Sequence, residues 1–279
     1  MLLLKLTGLL WLGTAAAQPA VSSPSMPPPQ VPVAPKLTAT APPAPALAPS
    51  ATSVPAAAPA KATAAAPSAA PEGGPPFTLA QATQGLPGNG VLRATIEVEQ
   101  AGKWLGTLRC ELYTDKTPQT VANFVGLARG LRPFHDPRSG QWVRRSLYDG
   151  NQFHRLIPDF LIQGGDPLCL IDPRCSGRQG AGDPGYAIPD EIRDDLRFDR
   201  GGRLGMALRG GANTAGSQFF ITERETPWLN GSHTVFGQCE PIEVVRAIAG
   251  LPTQALDVPK EPVRIKRILI SRQPATGAK

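Results

Sequence analysis

The chain has 279 residues, of which 32 are Pro and 29 Gly, with a formal charge of +6. That length holds one or two domains, and the Pro and Gly excess predicts a low-complexity part beside a folded one. The charge is modest, and no long Lys/Arg run or nucleic-acid motif occurs, which excludes nucleic acid from the expected partners.

Met1 to Ala17 reads as a secretory signal peptide. Lys5 supplies the positive charge, Leu6 to Gly13 the apolar core and Ala15-Ala16-Ala17 the small-residue cleavage site. The apolar run is shorter than the ~20 residues that span a bilayer, so no stable membrane insertion is expected after cleavage. The expectation is export to the periplasm, the cell envelope or the medium. Residues 18–76 are more than half Ala and Pro, carry no aromatic residue and almost no charge. Such a segment buries too little apolar surface to offset its ordering entropy, and disorder with polyproline II character is expected. It reads as a spacer first and as a tether to an envelope or partner second. Residues 77–90 form a polar, Gly-rich approach.

From Val91 the pattern is that of a folded domain, expected to end at Arg272 with 273–279 as a tail. Leu92, Ala94, Ile96 and Val98 alternate with polar residues, and Leu108, Cys110 and Leu112 repeat the alternation after a turn at Ala101-Gly102-Lys103. Thr117 and Pro118 open a helix, with Val121, Phe124, Val125 and Ala128 on one face and Gly130 as its stop. Arg132 to Asp149 reads as a basic loop, and Leu168 to Asp190 as a Gly- and Pro-rich one. Short apolar runs at Arg203–Leu208, Ser217–Thr222, Thr234–Cys239 and Pro262–Ile270 read as strands, with a second helix over Ile242, Val245 and Ala249. The fold class is therefore mainly β, an antiparallel barrel with two α-helices over its open ends.

Three stretches carry the chemistry. The first is Phe153-His154-Arg155-Leu156-Ile157-Pro158-Asp159-Phe160-Leu161-Ile162-Gln163-Gly164-Gly165-Asp166. Two apolar runs split by a turn dipeptide predict a hairpin that presents one cation, one amide and an apolar wall. The second is Gly216-Ser217-Gln218-Phe219-Phe220-Ile221-Thr222. The third is Trp228-Leu229-Asn230-Gly231-Ser232-His233-Thr234-Val235-Phe236-Gly237. In this order the three resemble the signatures of the cyclophilin peptidyl-prolyl isomerases, over roughly Val91 to Arg272. The resemblance implies a closed eight-stranded barrel with two capping helices. It also implies catalysis of rotation about X-Pro bonds in proline-containing polypeptides, by a monomer without a cofactor or metal.

Carried over position by position, the resemblance makes Arg155 the catalytic residue. Phe160, Leu161, Phe220 and Leu229 match its proline pocket, Trp228 and His233 the rim, and Gln163 and Gln218 the polar side of the groove. Ala207 and Leu208 fall in its substrate-binding segment. Retention of Trp228 resembles cyclosporin-sensitive members, so cyclosporin A is expected as an inhibitor. Leu161 stands where Met is usual, a swap of similar volume. Met206–Thr214 is one residue longer than the usual pattern, with Leu208 where Asn is typical, and Arg209 is expected to reach the side groove and favour acidic residues before the proline.

The chain has 4 Cys. In an exported chain Cys169 and Cys175 suit a local disulfide, whereas Cys110 and Cys239 read equally as buried thiols or a second bridge. Gly180-Ala181-Gly182-Asp183-Pro184-Gly185 fits GxGxxG in form, but it neither follows a strand nor opens a helix and reads as loop. Two rival readings share the fold: a proline-peptide-binding chaperone with little turnover, and an envelope scaffold in which the Pro/Ala segment is the working part.

Overall fold

The structure is a computed structural model that describes residues 77–172, 175 and 180–273. The expected signal peptide, the Pro/Ala-rich segment and all of the tail beyond Gln273 lie outside the described residues.

In chain order the elements are α1 (Leu79–Thr83), β1 (Val91–Gln100), β2 (Lys103–Leu112), α2 (Pro118–Ala128), β3 (Phe134–Asp136), β4 (Gln141–Val143), β5 (Gln152–Ile157), β6 (Leu161–Gly164), β7 (Arg203–Met206), β8 (Phe219–Thr222), β9 (Val235–Glu240), α3 (Ile242–Ala249) and β10 (Val263–Gln273). Eight antiparallel strands close into a barrel in the order β1-β10-β5-β6-β8-β7-β9-β2. Closure leaves no unpaired sheet edge. The alternation in β1 does what it predicts: Leu92, Ala94, Ile96 and Val98 are buried and the residues between them are partly exposed. Ala101 and Gly102 join β1 to β2 with φ of 50° and 77°, the two left-handed residues that a tight hairpin needs.

Helix α2 begins and ends where the sequence predicts, but its cap is different. The Thr117 hydroxyl donates back to the Tyr113 carbonyl, and the first free amides, Gln119 and Thr120, instead donate to the Glu191 carboxylate at 3.1 and 2.7 Å. A carboxylate there satisfies two orphan donors and complements the helix dipole. The ring of Phe124 from this helix meets Tyr148, Phe219 and Phe236 at 5.1 to 5.4 Å and helps fill the main core. α3 packs on β2, β5, β6 and β9.

Two regions read as loop hold structure. Residues 132–149 contain the β3–β4 hairpin, whose buried Asp136 is paired with Arg138 and Arg145. The approach segment forms α1 with a Thr78–Gln81 capping box, buries Ala82 and docks on α2, where Arg129 donates to the Ala82 and Gln84 carbonyls. Cys110 and Cys239 face each other on β2 and β9 and are bonded, as are Cys169 and Cys175.

Candidate active site

The hairpin of β5 and β6 is the scaffold of the site. It turns at Pro158-Asp159, with Asp159 at φ 59° and its backbone pinned by Glu223, which accepts from its N–H, and Arg224, which donates to its carbonyl. Arg155 pairs across the hairpin with Gln163, Gln163 with Phe220 on β8, and Phe220 with Gly205 on β7. Because side chains alternate along a strand, Leu156, Ile162, Phe219 and Ile221 enter the main core. Leu161 and Phe220 turn instead to a second apolar cluster with Phe198, Ala207 and Val235, against which Phe160 and Leu229 pack.

That second cluster is the floor of a groove of about 530 Å³. Phe220 stacks on Phe198 with centroids 5.5 Å apart, and the His233 ring stands edge-on to it at 5.5 Å. Gly205 makes room for this ring: a Cβ there would lie 2.5 Å from Phe220 Cζ. The polar side is set by a chain of amides. Gln218 Nε2 donates to the Gly182 carbonyl at 2.8 Å, so its Oε1 faces the other way and accepts from Gln163 Nε2 at 3.0 Å. Gln163 Oε1 is left as an acceptor. His233 Nδ1 lies 3.0 Å from the Met206 carbonyl, which requires a proton on Nδ1.

Arg155 stands at the groove with its side chain 42% exposed, and its Nε donates to Asp257 Oδ2 at 3.2 Å. Its neighbour His154 is buried, with no partner for either ring nitrogen among the described residues. Burial, with the Arg155 charge beside it, lowers the His154 pKa to about 4, so the ring is neutral near neutrality.

The groove thus gathers most of the residues named from the sequence. Arg155, Gln163, Ala207, Leu208 and His233 line it together with the apolar residues Phe160, Leu161, Phe220 and Leu229. Gln218 does not line it; it is buried beneath and holds Gln163. Trp228 stands outside the lining, 59% exposed, with its ring 5.7 Å from Phe160. The longer Met206–Thr214 segment closes its extra length in a turn, with Arg209 N–H donating to Thr214 Oγ1 and Thr214 Oγ1 to the Gly211 carbonyl. Arg209, expected to reach the side groove, has its guanidinium paired with Asp183. Sequence reading missed Leu256 and Asp257, which also line the groove. Asp257 lies 102 positions from Arg155, so no local spacing announces it.

The family model for cyclophilin type peptidyl-prolyl cis-trans isomerase/CLD matches residues 95–270. The chain belongs to the cyclophilin family. Its folded part is similar to the probable peptidyl-prolyl cis-trans isomerase A of Mycobacterium leprae, 43% identical over 169 residues that make up 60% of this chain and 87% of that protein. The mouse peptidyl-prolyl cis-trans isomerase-like 1 is 40% identical over 162 residues, 58% of this chain and 84% of that one. Among solved structures, a cyclophilin type isomerase of Cryptosporidium parvum aligns with a TM-score of 0.52 at 31% identity, covering 66% of this chain and 99% of that one. A second structure of that protein, in the presence of the dipeptide Ala-Pro, aligns with a TM-score of 0.51. This cyclophilin is a peptidyl-prolyl cis-trans isomerase, and the eight-stranded barrel is the fold its sequence predicts.

Proposed function

We propose that the groove catalyses X-Pro rotation without covalent chemistry, with Arg155 as the donor to the prolyl nitrogen. Amide resonance sets a barrier of ~18–20 kcal/mol, while the cis and trans forms are close in energy and exchange over tens of seconds or more. In the twisted amide the prolyl nitrogen becomes pyramidal and gains a lone pair. A fixed N–H aimed at it stabilises that state more than either planar form, which is the condition for catalysis. A guanidinium is planar and presents its N–H donors in a rigid fork. Leu161, Phe220 and Leu229 offer an apolar seat for the proline ring, and Gln163 Oε1 an acceptor for a peptide N–H. The observation that carries the reading is this juxtaposition of one guanidinium with one open apolar floor.

The substrates in this reading are exported or unfolded proteins, met by a monomer, and cyclosporin A blocks the same groove. Export is supported by the leader-like Met1–Ala17 and by two disulfides among the described residues, since such bonds persist in oxidising compartments. Recovery of the uncleaved chain from cytosol would count against it, and a dimer mass in sedimentation against the monomer.

The test is two-dimensional exchange NMR on a short Ala-Pro peptide with catalytic amounts of the chain. Accelerated cis/trans exchange, suppressed by cyclosporin A, is expected. Peptide shifts that report binding without acceleration would favour the chaperone or scaffold reading.

A further inference from the structure

We propose that Asp257 is a positioning residue for Arg155, and that the turn Ala255–Asp257 is built to place it. This rests on the reading of Arg155 as the donor.

The first observation is the bond itself. Asp257 Oδ2 takes the Arg155 Nε–H at 3.2 Å, and this is the guanidinium's one hydrogen bond among the described residues. A guanidinium is a rigid planar fork. Anchoring it at Nε restrains its swing on a flexible stem and leaves both Nη groups as donors for a ligand. A donor already fixed where the charge develops needs no reorganisation during the reaction.

The second observation is the backbone. Leu256 has φ 63° and ψ 29°, and Asp257 has φ 60°. Two successive non-glycine residues in the left-handed region are costly, and a γ-branched Leu has no local hydrogen bond to offer in exchange. The surroundings hold the turn in place. Gln254 N–H donates to the Val258 carbonyl at 2.8 Å, Lys260 N–H to the Pro252 carbonyl at 2.9 Å, and Thr253 bridges to Pro259.

The third observation is that folding gains little from the turn. Leu256 is 73% exposed, and the two side chains of the ion pair are 42% and 43% exposed, where solvent weakens such a pair. Strained positions of this kind cluster at functional sites. What the turn achieves is placement: it delivers one carboxylate to Arg155 and sets Leu256 on the groove wall.

The experiment is a double-mutant cycle read by saturation kinetics on the Ala-Pro peptide, with the full chain as Asp257→Ala, Arg155→Ala and both together. Asp257→Ala is expected to lower kcat by about 10- to 100-fold, the scale of a misplaced catalytic group, with KM within about twofold and only a small fall in melting temperature, because Ala tolerates the left-handed backbone less well than Asp. In the Arg155→Ala background the same substitution should change nothing, because its effect runs through the guanidinium. Asp257→Asn keeps an oxygen acceptor and a side chain that tolerates the left-handed backbone. It should recover most of the loss and keep the Arg155 Nε–H resonance near its wild-type position, whereas Asp257→Ala should shift that resonance. Wild-type kcat in Asp257→Ala, or an equal loss in both backgrounds, would overturn the proposal. Undiminished turnover in Arg155→Ala alone would instead overturn the donor reading beneath it.

Discussion

Phe219 and Phe220 are consecutive on β8, both buried, and belong to different parts of the molecule. Phe219 points into the main core, where Phe124, Tyr148 and Phe153 surround it at 5.4 to 5.8 Å. Phe220 points to the smaller cluster, stacked on Phe198 below and open above to the groove that Arg155 faces. The strand is the same and the residue type is the same. What differs is that one ring's packing is complete within the chain, whereas in our reading the other's is completed by a proline. A barrel strand with a face on each side can therefore serve stability with one residue and recognition with the next.

Breaking the first half of this comparison should have the largest effect. Phe219→Ala leaves a cavity among enclosed rings and should cost about 3–5 kcal/mol of stability, seen as a large drop in melting temperature. The groove residues that remain should keep their peptide affinity in whatever fraction stays folded.

Acid comes next. His154 sits on β5 between the two regions, buried and neutral, with its folded pKa near 4 against an ordinary value of 6.5. Below pH 6.5 the unfolded chain takes up a proton that the folded chain refuses. Stability is thus fully present above that pH and is lost as pH falls towards 4, by about 3 kcal/mol at most. Urea titrations at pH 7 and pH 4 should show a smaller acid loss in His154→Leu than in the wild type.

Phe220→Ala should lie at the lower end of the cavity range, about 3 kcal/mol or less, because the ring borders the groove, whose walls can relax. Its larger signature should be a KM raised on Ala-Pro peptides. An unchanged KM would erase the distinction drawn between the two rings.

How much of this was legible follows the same division. Strand alternation exposes the barrel because every barrel strand has a core face, and the order of apolar residues on β5, β6 and β8 gives away both faces at once. The resemblance then points to Arg155, Gln163 and the apolar floor as one groove, and the structure brings them together. What stayed hidden depends on long-range pairing. Cys110 and Cys239 are 129 positions apart and meet only because β2 and β9 are barrel neighbours. Glu191 caps a helix more than seventy residues before it. The β3–β4 hairpin has three-residue strands, too short for a period to register. The Arg209–Asp183 ion pair joins two loops and has no local sequence signal.

In our reading Arg155 acts on the twisted amide and contributes little to holding the peptide. The most direct test is to measure, on one Arg155→Ala sample, both the Ala-Pro exchange rate at saturation and the peptide dissociation constant from chemical shifts. A loss of about 10²–10³ in the catalysed rate is expected, the cost of removing one transition-state donor, with affinity within a few-fold of wild type. Equal losses in rate and affinity, or exchange as fast as wild type, would contradict it.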